Sequence, residues 1–331
     1  MRPNPCYRVA LIGLVGGIAL ACAAWLPTGA MAQSYPSKLV RIVVPFPPGG
    51  TNDVLGRFAA ERLAERWKQQ VIVENRPGAT GNIGTDLVAK AAPDGHTLLV
   101  MPLDIAINPA LYANLPYDVR RDLAPITVMA FSGLIITAYP ASGINSMREL
   151  IDRAKAEPGK LSYGSCGNGT PQHVAAEMLK ARAGMDLAHV PYKGCAQAQT
   201  AALAGEVTIS LNAVGNVTAL VKAGRLKGLA VTSAKRDREL PDLPSLQESG
   251  FTDFEVLNWF GLFAPAKTPR EIVARIYEDL KVEFSDAALV KRLHDRSLEP
   301  YLDTPEHFRK LLLDDMDRFG PIVKRLGLRL D

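Results

Sequence analysis

Val44-Pro45-Phe46-Pro47-Pro48-Gly49-Gly50-Thr51-Asn52-Asp53 joins a strand to a helix. The β-branched run Arg41-Ile42-Val43-Val44 leads into it and stops at Pro45. After it, residues 53–68 have helical periodicity, with Val54, Phe58, Leu63 and Trp67 on or near one face. Between strand and helix the prolines stiffen the turn, and Gly49 and Gly50 leave bare backbone that a ligand can approach closely. The first N–H groups of the helix lack intrahelical partners and have the positive end of the helix dipole behind them. Thr51 can cap the helix or donate to a ligand oxygen. Taken alone, the string reads as a tight turn with a threonine cap. However, Tyr163-Gly164-Ser165-Cys166-Gly167-Asn168-Gly169-Thr170-Pro171 repeats the design: a strand, a glycine loop, and a helix start with Thr170 as N-cap and proline at the first helical position. Two anion-seeking helix N-termini are what a carboxylate clamp needs.

The alternation continues outward from both strings. Residues 71–73 read as a strand, 76–84 as a second glycine-rich connection, 83–91 as a helix and 97–101 as a third strand. Apolar strands separated by helices imply an α/β fold with a parallel sheet covered on both faces. A second series begins near residue 140. Ser146-Met147-Arg148-Glu149 is a capping box whose helix stops at Glu157-Pro158-Gly159. Strands at 161–163, 187–190, 207–211 and 226–231 alternate with helices at 170–183, 196–203 and 217–223. A loop rich in proline and charge, 235–244, precedes an apolar strand at 256–264. Thr268-Pro269-Arg270-Glu271 and Thr304-Pro305-Glu306 open two further capped helices. The expected domains are one lobe of residues 33–140 plus 236–331 and a second lobe of residues 141–235, with two crossings forming a two-stranded hinge.

The chain has 331 residues, 47% hydrophobic and 22% charged, enough for two buried cores. Residues 1–32 read as a signal peptide. Arg2 and Arg8 make a positive start, 9–26 is continuously apolar, and Ala30-Met31-Ala32 is a small-x-small cleavage site before Gln33. A membrane anchor is the alternative, but an apolar run of about 18 residues is short for a span and no stop-transfer flank follows. Lipidation at Cys22 would favour leucine where Ala19 stands. Export makes the expected location periplasmic. Net charge is +4, of which the leader's two arginines account for half. With no basic run and 7% aromatics, there is no footprint for nucleic acid. Cys6 and Cys22 leave with the leader, so Cys166 and Cys195 remain in an oxidising compartment. Both stand in loops that leave the same end of the sheet, after strands expected to be neighbours. A disulfide between them is expected, with two separate buried thiols as the alternative.

Catalytic patterns are missing. His96, His173, His189, His294 and His307 stand in no HExxH string and beside no GxSxG elbow. Ser165 lacks the elbow spacing, and His173 reads as a helix-surface or cap-adjacent residue. The cysteine spacing suits no metal, and no paired-carboxylate signal is visible. There is no GxxxxGK[ST] string, and Gly167-Asn168-Gly169 lacks the third glycine and the downstream acid of a dinucleotide fingerprint. No cofactor, metal or catalytic residue is therefore expected. Arg76-Pro77-Gly78-Ala79-Thr80-Gly81-Asn82 and His189-Val190-Pro191-Tyr192-Lys193-Gly194 add polar backbone loops. Lys193 reads as a solvated loop charge.

In order along the mature chain, YPSKLVRIVVPFPPGGTNDVLGR, VIVENRPGATGNIGTDLVAKAAPDGHTL, LSYGSCGNGTPQHVAAEML, HVPYKG and LAVTSAKRDRELPDLPSLQESG resemble the Bug family. These are the substrate-binding proteins related to tripartite tricarboxylate transporters. The resemblance implies a type II periplasmic-binding-protein fold, two α/β lobes joined by a two-stranded hinge with a ligand in the cleft. It implies organic carboxylates as ligands (di- and tricarboxylates, acidic amino acids or aromatic acids), recognised by loop backbone, hydroxyls and ordered water. By motif, Phe46, Gly49, Gly50, Thr51 and Asp53 would line lobe one with Ala79, Thr80 and Gly81. Ser165, Gly169, Thr170, Tyr192 and Asn212 would line lobe two. Three positions depart from the family pattern. Cys166 stands where a small residue, often serine, is usual, Cys195 where glycine is usual, and Asn212 where aspartate is common. The implied protein is a monomeric receptor that hands a small organic carboxylate to membrane transporter subunits. A sensor component that only reports the ligand, and a hydrolase or lyase on a similar fold, are the alternatives.

Overall fold

The computed structural model describes residues 35–330, so the expected signal peptide lies outside the described residues. Residues Lys38–Asp331 form one compact unit. The first strands and helices alternate as β1 (Val40–Val44), α1 (Thr51–Trp67), β2 (Val71–Asn75), α2 (Asn82–Ala89), β3 (Thr97–Pro102) and α3 (Asp104–Leu111). A single turn, α4 (Val119–Asp122), leads into β4 (Leu123–Ala138). The second series is α5 (Met147–Ala156), β5 (Ser162–Ser165), α6 (Pro171–Ala183), β6 (Ala188–Pro191), α7 (Cys195–Ala204), β7 (Ile209–Ala213), α8 (Val214–Lys222) and β8 (Lys227–Val231). The chain ends through β9 (Leu257–Pro265), α9 (Arg270–Glu283), α10 (Ala287–His294), β10 (Glu299–Pro300) and α11 (Pro305–Arg325).

The sheet is mixed, which corrects the expectation of a parallel one. β1 lies parallel between β2 and β3, and β5 lies parallel between β6 and β7. Between these halves stand β9 and β4, antiparallel to each other, with β9 antiparallel to β3 and β4 antiparallel to β7. The physical reason is the path of the chain. It crosses from one half to the other along β4 and returns along β9, and two passages in opposite directions pair antiparallel. An apolar run reports burial on both faces; it carries no record of strand direction. β4, LAPITVMAFSGLIITA, is 16 residues long and buried along almost its whole length. Hydrophobic periodicity cannot separate such a run from a buried helix.

β4 changes partner in mid-strand. It pairs with β9 as far as Gly133↔Leu257, then with β7 from Leu134↔Ala213 and with β8 from Ile135↔Val231. Thr232, fully buried, stitches this point. Its hydroxyl accepts the Leu134 N–H at 2.9 Å and donates to the Val256 carbonyl at 2.6 Å. Its backbone bonds the same two residues, so three segments of chain meet on one side chain. Beside it the core of the first half packs Trp259 of β9 edge-on to Phe308 of α11, with the indole N–H on Asp315 at 2.7 Å. Gly261 leaves room for that ring: a Cβ there would lie 2.2 Å from Phe308.

The helix starts follow the expected chemistry with two exceptions. Ser146, Thr170 and Thr304 each accept a backbone N–H from three residues on. In the capping box, Glu149 reaches the N–H of Asn145 at 2.7 Å, one residue before the cap. The helix after Thr268 is capped differently from the sequence reading. Its N-cap is Pro269, and the Thr268 hydroxyl is buried without a partner among the described residues.

Thr232→Val keeps the shape at the crossing and deletes both hydroxyl bonds, leaving a buried N–H and C=O unpaired. Each orphaned group costs about 1–3 kcal/mol. The expected result is a clear fall in the urea midpoint with an unchanged slope. An unchanged midpoint would show that the crossing does not depend on this side chain.

Candidate functional site

The carboxyl ends of β1, β3, β5, β6 and β7 each feed a helix, and the five helix starts border one cavity of about 190 Å³. Gly50, Thr51 and Asn52 belong to the start of α1, Asp104 to α3, Thr170 and Gln172 to α6, Cys195, Ala196 and Gln197 to α7, and Ala213 and Asn216 to α8. Clefts beyond the carboxyl ends of strands are where open α/β sheets bind ligands. The sequence pointed to two such helix starts, and the fold brings three more beside them. Their free N–H groups and dipoles favour an anion. Phe46, Pro47, Pro48, Pro102 and Phe260 supply apolar walls, with the Cys166–Cys195 disulfide between them. Among the described residues that line the cavity, Lys193 is the one base and Asp104 the one acid. Lys193 is exposed, as expected of a loop lysine, and Asp104 is 2% exposed.

The expected site residues divide into three groups. Phe46, Gly50, Thr51 and Thr170 line this cavity. Ala79, Thr80, Gly81 and Tyr192 line a neighbouring one of about 640 Å³, which shares Phe46, Cys166, Thr170 and Lys193 with the first. Gly49, Asp53, Ser165, Gly169 and Asn212 line neither. Asp53 holds the first glycine loop: its carboxylate accepts the Gly49 N–H at 3.0 Å, Asn75 at 3.0 Å and a two-pronged bond from Arg57 at 2.9 Å. Burial raises its pKa, but these hydrogen bonds outweigh burial and keep it below the usual carboxylate range. Gly169 sits at φ +76° with Leu111 and Leu330 against it, where a Cβ would meet Leu111 at 2.3 Å. Asn212 is fully buried in β7, 3.8 Å from the Cys166 sulfur.

Thr51 does not cap α1, whose N-cap is Gly50. Its hydroxyl instead donates to Asn216 Oδ1 of α8 at 3.2 Å, from one half of the sheet to the other. Thr80 makes a second such contact, donating to the Asn168 carbonyl at 3.1 Å. Ala79 and Thr80 both lie in the left-handed region, at φ 48° and 51°, a conformation costing about 1–2 kcal/mol per non-glycine residue. A buried trio holds them there. Asn108 donates to the Thr80 carbonyl at 3.0 Å and to Asn82 Oδ1 at 2.7 Å, and the Tyr117 hydroxyl reaches the same oxygen at 2.5 Å. No sequence pattern marks three residues so far apart as one cluster.

Ser165 lies 2.7 Å from His189 Nε2, a serine–histidine pair that the spacing did not suggest. It is not a nucleophile. Ser165 is fully buried, and its hydroxyl also bonds the Gly167 carbonyl at 3.1 Å. His189 stacks between Tyr163 and His173, at ring separations of 4.7 and 4.0 Å, and among the described residues no carboxylate hydrogen-bonds to it. Burial holds both imidazoles neutral, each pushed down to about 4, with the neighbouring His173 adding to the effect on His189. His173 is buried, not on a helix surface, and its Nδ1 accepts the Gly169 N–H at 2.9 Å. The stack therefore shapes the second glycine loop.

The model of the family described as tripartite tricarboxylate transporter family receptor matches residues 55–328. The chain belongs to this family. The R. palustris protein Rpa4515, solved with adipate, superposes with a TM-score of 0.86 at 31% identity, covering 89% of this chain and all of that one. The periplasmic binding protein BugD superposes with a TM-score of 0.84 at 32% identity, over 89% of this chain and all of BugD. A Pseudomonas sp. (strain P51) relative, the UPF0065 protein in the tcbD–tcbE intergenic region, is 34% identical over 98% of this chain and 97% of its own length. The family is one of receptors and BugD is a periplasmic binding protein; the chain is a solute-binding receptor, not an enzyme, with the two-lobed α/β fold that the resemblance implied.

The disulfide joins Cys166, at the end of the second glycine loop's strand, to Cys195, the first residue of α7, with Cα atoms 4.3 Å apart. β5 and β6, which precede the two loops, are direct neighbours in register Ser165↔Pro191. The alternative of two separate thiols is thereby set aside. For a bridge spanning 29 residues, the loss of unfolded-chain entropy contributes roughly 3–4 kcal/mol. Reduction should lower the melting temperature and weaken ligand binding together. Two free thiols per chain in unreduced, denatured protein lacking residues 1–32 would contradict the bridge.

Proposed function

We propose that this chain is a periplasmic receptor that captures one small organic carboxylate between its lobes and presents it to a tripartite tricarboxylate-type transporter. The observation that carries the reading is the convergence of five helix starts on a cavity with a single, exposed basic side chain. Such a site recognises an anion through backbone N–H groups and hydroxyls. The adipate of Rpa4515 supports a carboxylate as that anion. A cavity of about 190 Å³ is below the usual 300–1,000 Å³ of small-molecule pockets, so the ligand is small. The neighbouring cavity leaves room for a longer chain beyond Thr170 and Phe46.

Residues 1–32 would be removed on export. Among the described residues no helix is long and apolar enough to cross a membrane. The lobes, residues 33–140 with 236–331 and residues 141–235, would open and close about the Leu134–Thr232–Val256 crossing. The Thr51–Asn216 and Thr80–Asn168 contacts would form on closure. The ligand would leave unchanged, and one monomer would hold one ligand.

Calorimetric titration with a panel of mono-, di- and tricarboxylates tests this reading. One site per chain is expected for at least one member. Thr51→Ala removes the Thr51–Asn216 bond across the cleft and should weaken that binding by about 0.5–1.5 kcal/mol, the worth of one neutral hydrogen bond. Two independent sites, or no binding across the panel, would refute the single-cleft receptor.

A further inference from the structure

Asp104 is out of place by ordinary packing logic. It stands in Met101-Pro102-Leu103-Asp104-Ile105-Ala106-Ile107, an otherwise apolar run between β3 and α3. It is 2% exposed, yet it lines the cleft cavity. Its position is fixed, because the preceding Leu103 N–H is held by both the Trp259 carbonyl at 3.1 Å and Asn258 Oδ1 at 3.3 Å. Among the described residues, no hydrogen bond or ion pair links its carboxyl to another side chain. The one polar group acting on it is its own backbone N–H. A buried carboxylate without a partner is costly, and such groups become neutral instead.

Among the described residues no cation is paired with Asp104. Across the cavity the one base is the exposed Lys193. Behind α3, Tyr117 faces the Asn82–Asn108 pair, and burial raises its pKa. From α11, Asp315 is occupied by the Trp259 indole and is also raised by burial. On α1, Asp53 is paired with Arg57. His173 and His189 stay neutral above about pH 4.

Building on the carboxylate reading above, we propose that Asp104 is a specificity-determining residue that enters the complex as a neutral acid, its O–H donating to one carboxylate oxygen of the ligand. Two carboxyl groups brought together in one desolvated site cannot both ionise, so they hold one proton between them. An acid O–H on a carboxylate oxygen is a short, strong bond of about 2.5–2.7 Å. The receptor thus binds its ligand together with a proton. Desolvation already brings the empty-site carboxyl to about 7. A ligand carboxylate raises it further, so proton uptake begins above that pH.

The test is calorimetry with adipate, succinate and benzoate between pH 6 and 9, with each affinity referred to the fully ionised form of the ligand. For any that binds, affinity should be flat near pH 6 and fall about tenfold per pH unit well above pH 7, as linkage to one proton requires. Titrations at pH 8 in two buffers of different ionisation enthalpy should show close to one proton taken up per ligand. Asp104→Asn keeps the shape and a donor, and should bind with no such slope. A flat wild-type profile, or proton release on binding, would overturn the role of Asp104 and leave the receptor reading standing. Failure of every carboxylate to bind at any pH would overturn both. If the variant misfolds, the two-buffer measurement on the wild type decides alone.

Discussion

Everything in this fold hangs on the place where β4 exchanges β9 for β7. At Gly133–Leu134 a single strand leaves one half of the sheet and enters the other, and the buried hydroxyl of Thr232 ties it to the returning chain at Val256. Because both crossings lie at one point in the sheet, the parallel strands on either side can aim their carboxyl ends at a common space. The five helix starts meet there for that reason. A chain with separate lobes and a loose linker would have the same glycine loops without a shared cavity.

The cavity's charge design follows from that geometry. With the positive ends of several helices around it, the site needs no buried arginine to hold an anion, and backbone N–H groups carry no cost of ordering a long side chain. Rigidity must then come from behind the loops. Asp53 and Arg57 fix the first loop, the Tyr163–His189–His173 stack and the disulfide fix the second, and Asn82, Asn108 and Tyr117 hold the strained turn at Thr80. Preorganised loops lose less entropy when the ligand binds. Asp104 is the one acid among the described residues of the wall, and its carboxyl is paired with no other side chain, so it carries information about the ligand.

The glycine loops, the helix caps at Ser146, Thr170 and Thr304, and the pairing of the two cysteines were legible in the sequence because each depends on local chemistry or on the order of neighbouring strands. The direction of β4 and β9 was not, since an apolar run looks the same in either orientation. Thr51 was misassigned as a possible cap because its partner Asn216 lies 165 residues away. The same distance in sequence hid the serine–histidine pair at Ser165 and the trio under Thr80. Asp104 was overlooked because a lone acid in an apolar run carries no spacing pattern; only its burial in the cleft wall makes it unusual. Gly49, Asp53, Ser165, Gly169 and Asn212 line neither cavity, because motif position fixes which loop a residue belongs to, but not which way its side chain faces.

The most direct measurement is a mass spectrum of the small molecules released on denaturing the protein, purified quickly from cells in buffers free of organic acids. The expected result is one molecule per chain bearing a carboxyl group, small enough for the cleft and chemically intact. Stoichiometric release of a sugar, a cation or any other molecule without a carboxyl group would contradict the assignment of the cleft.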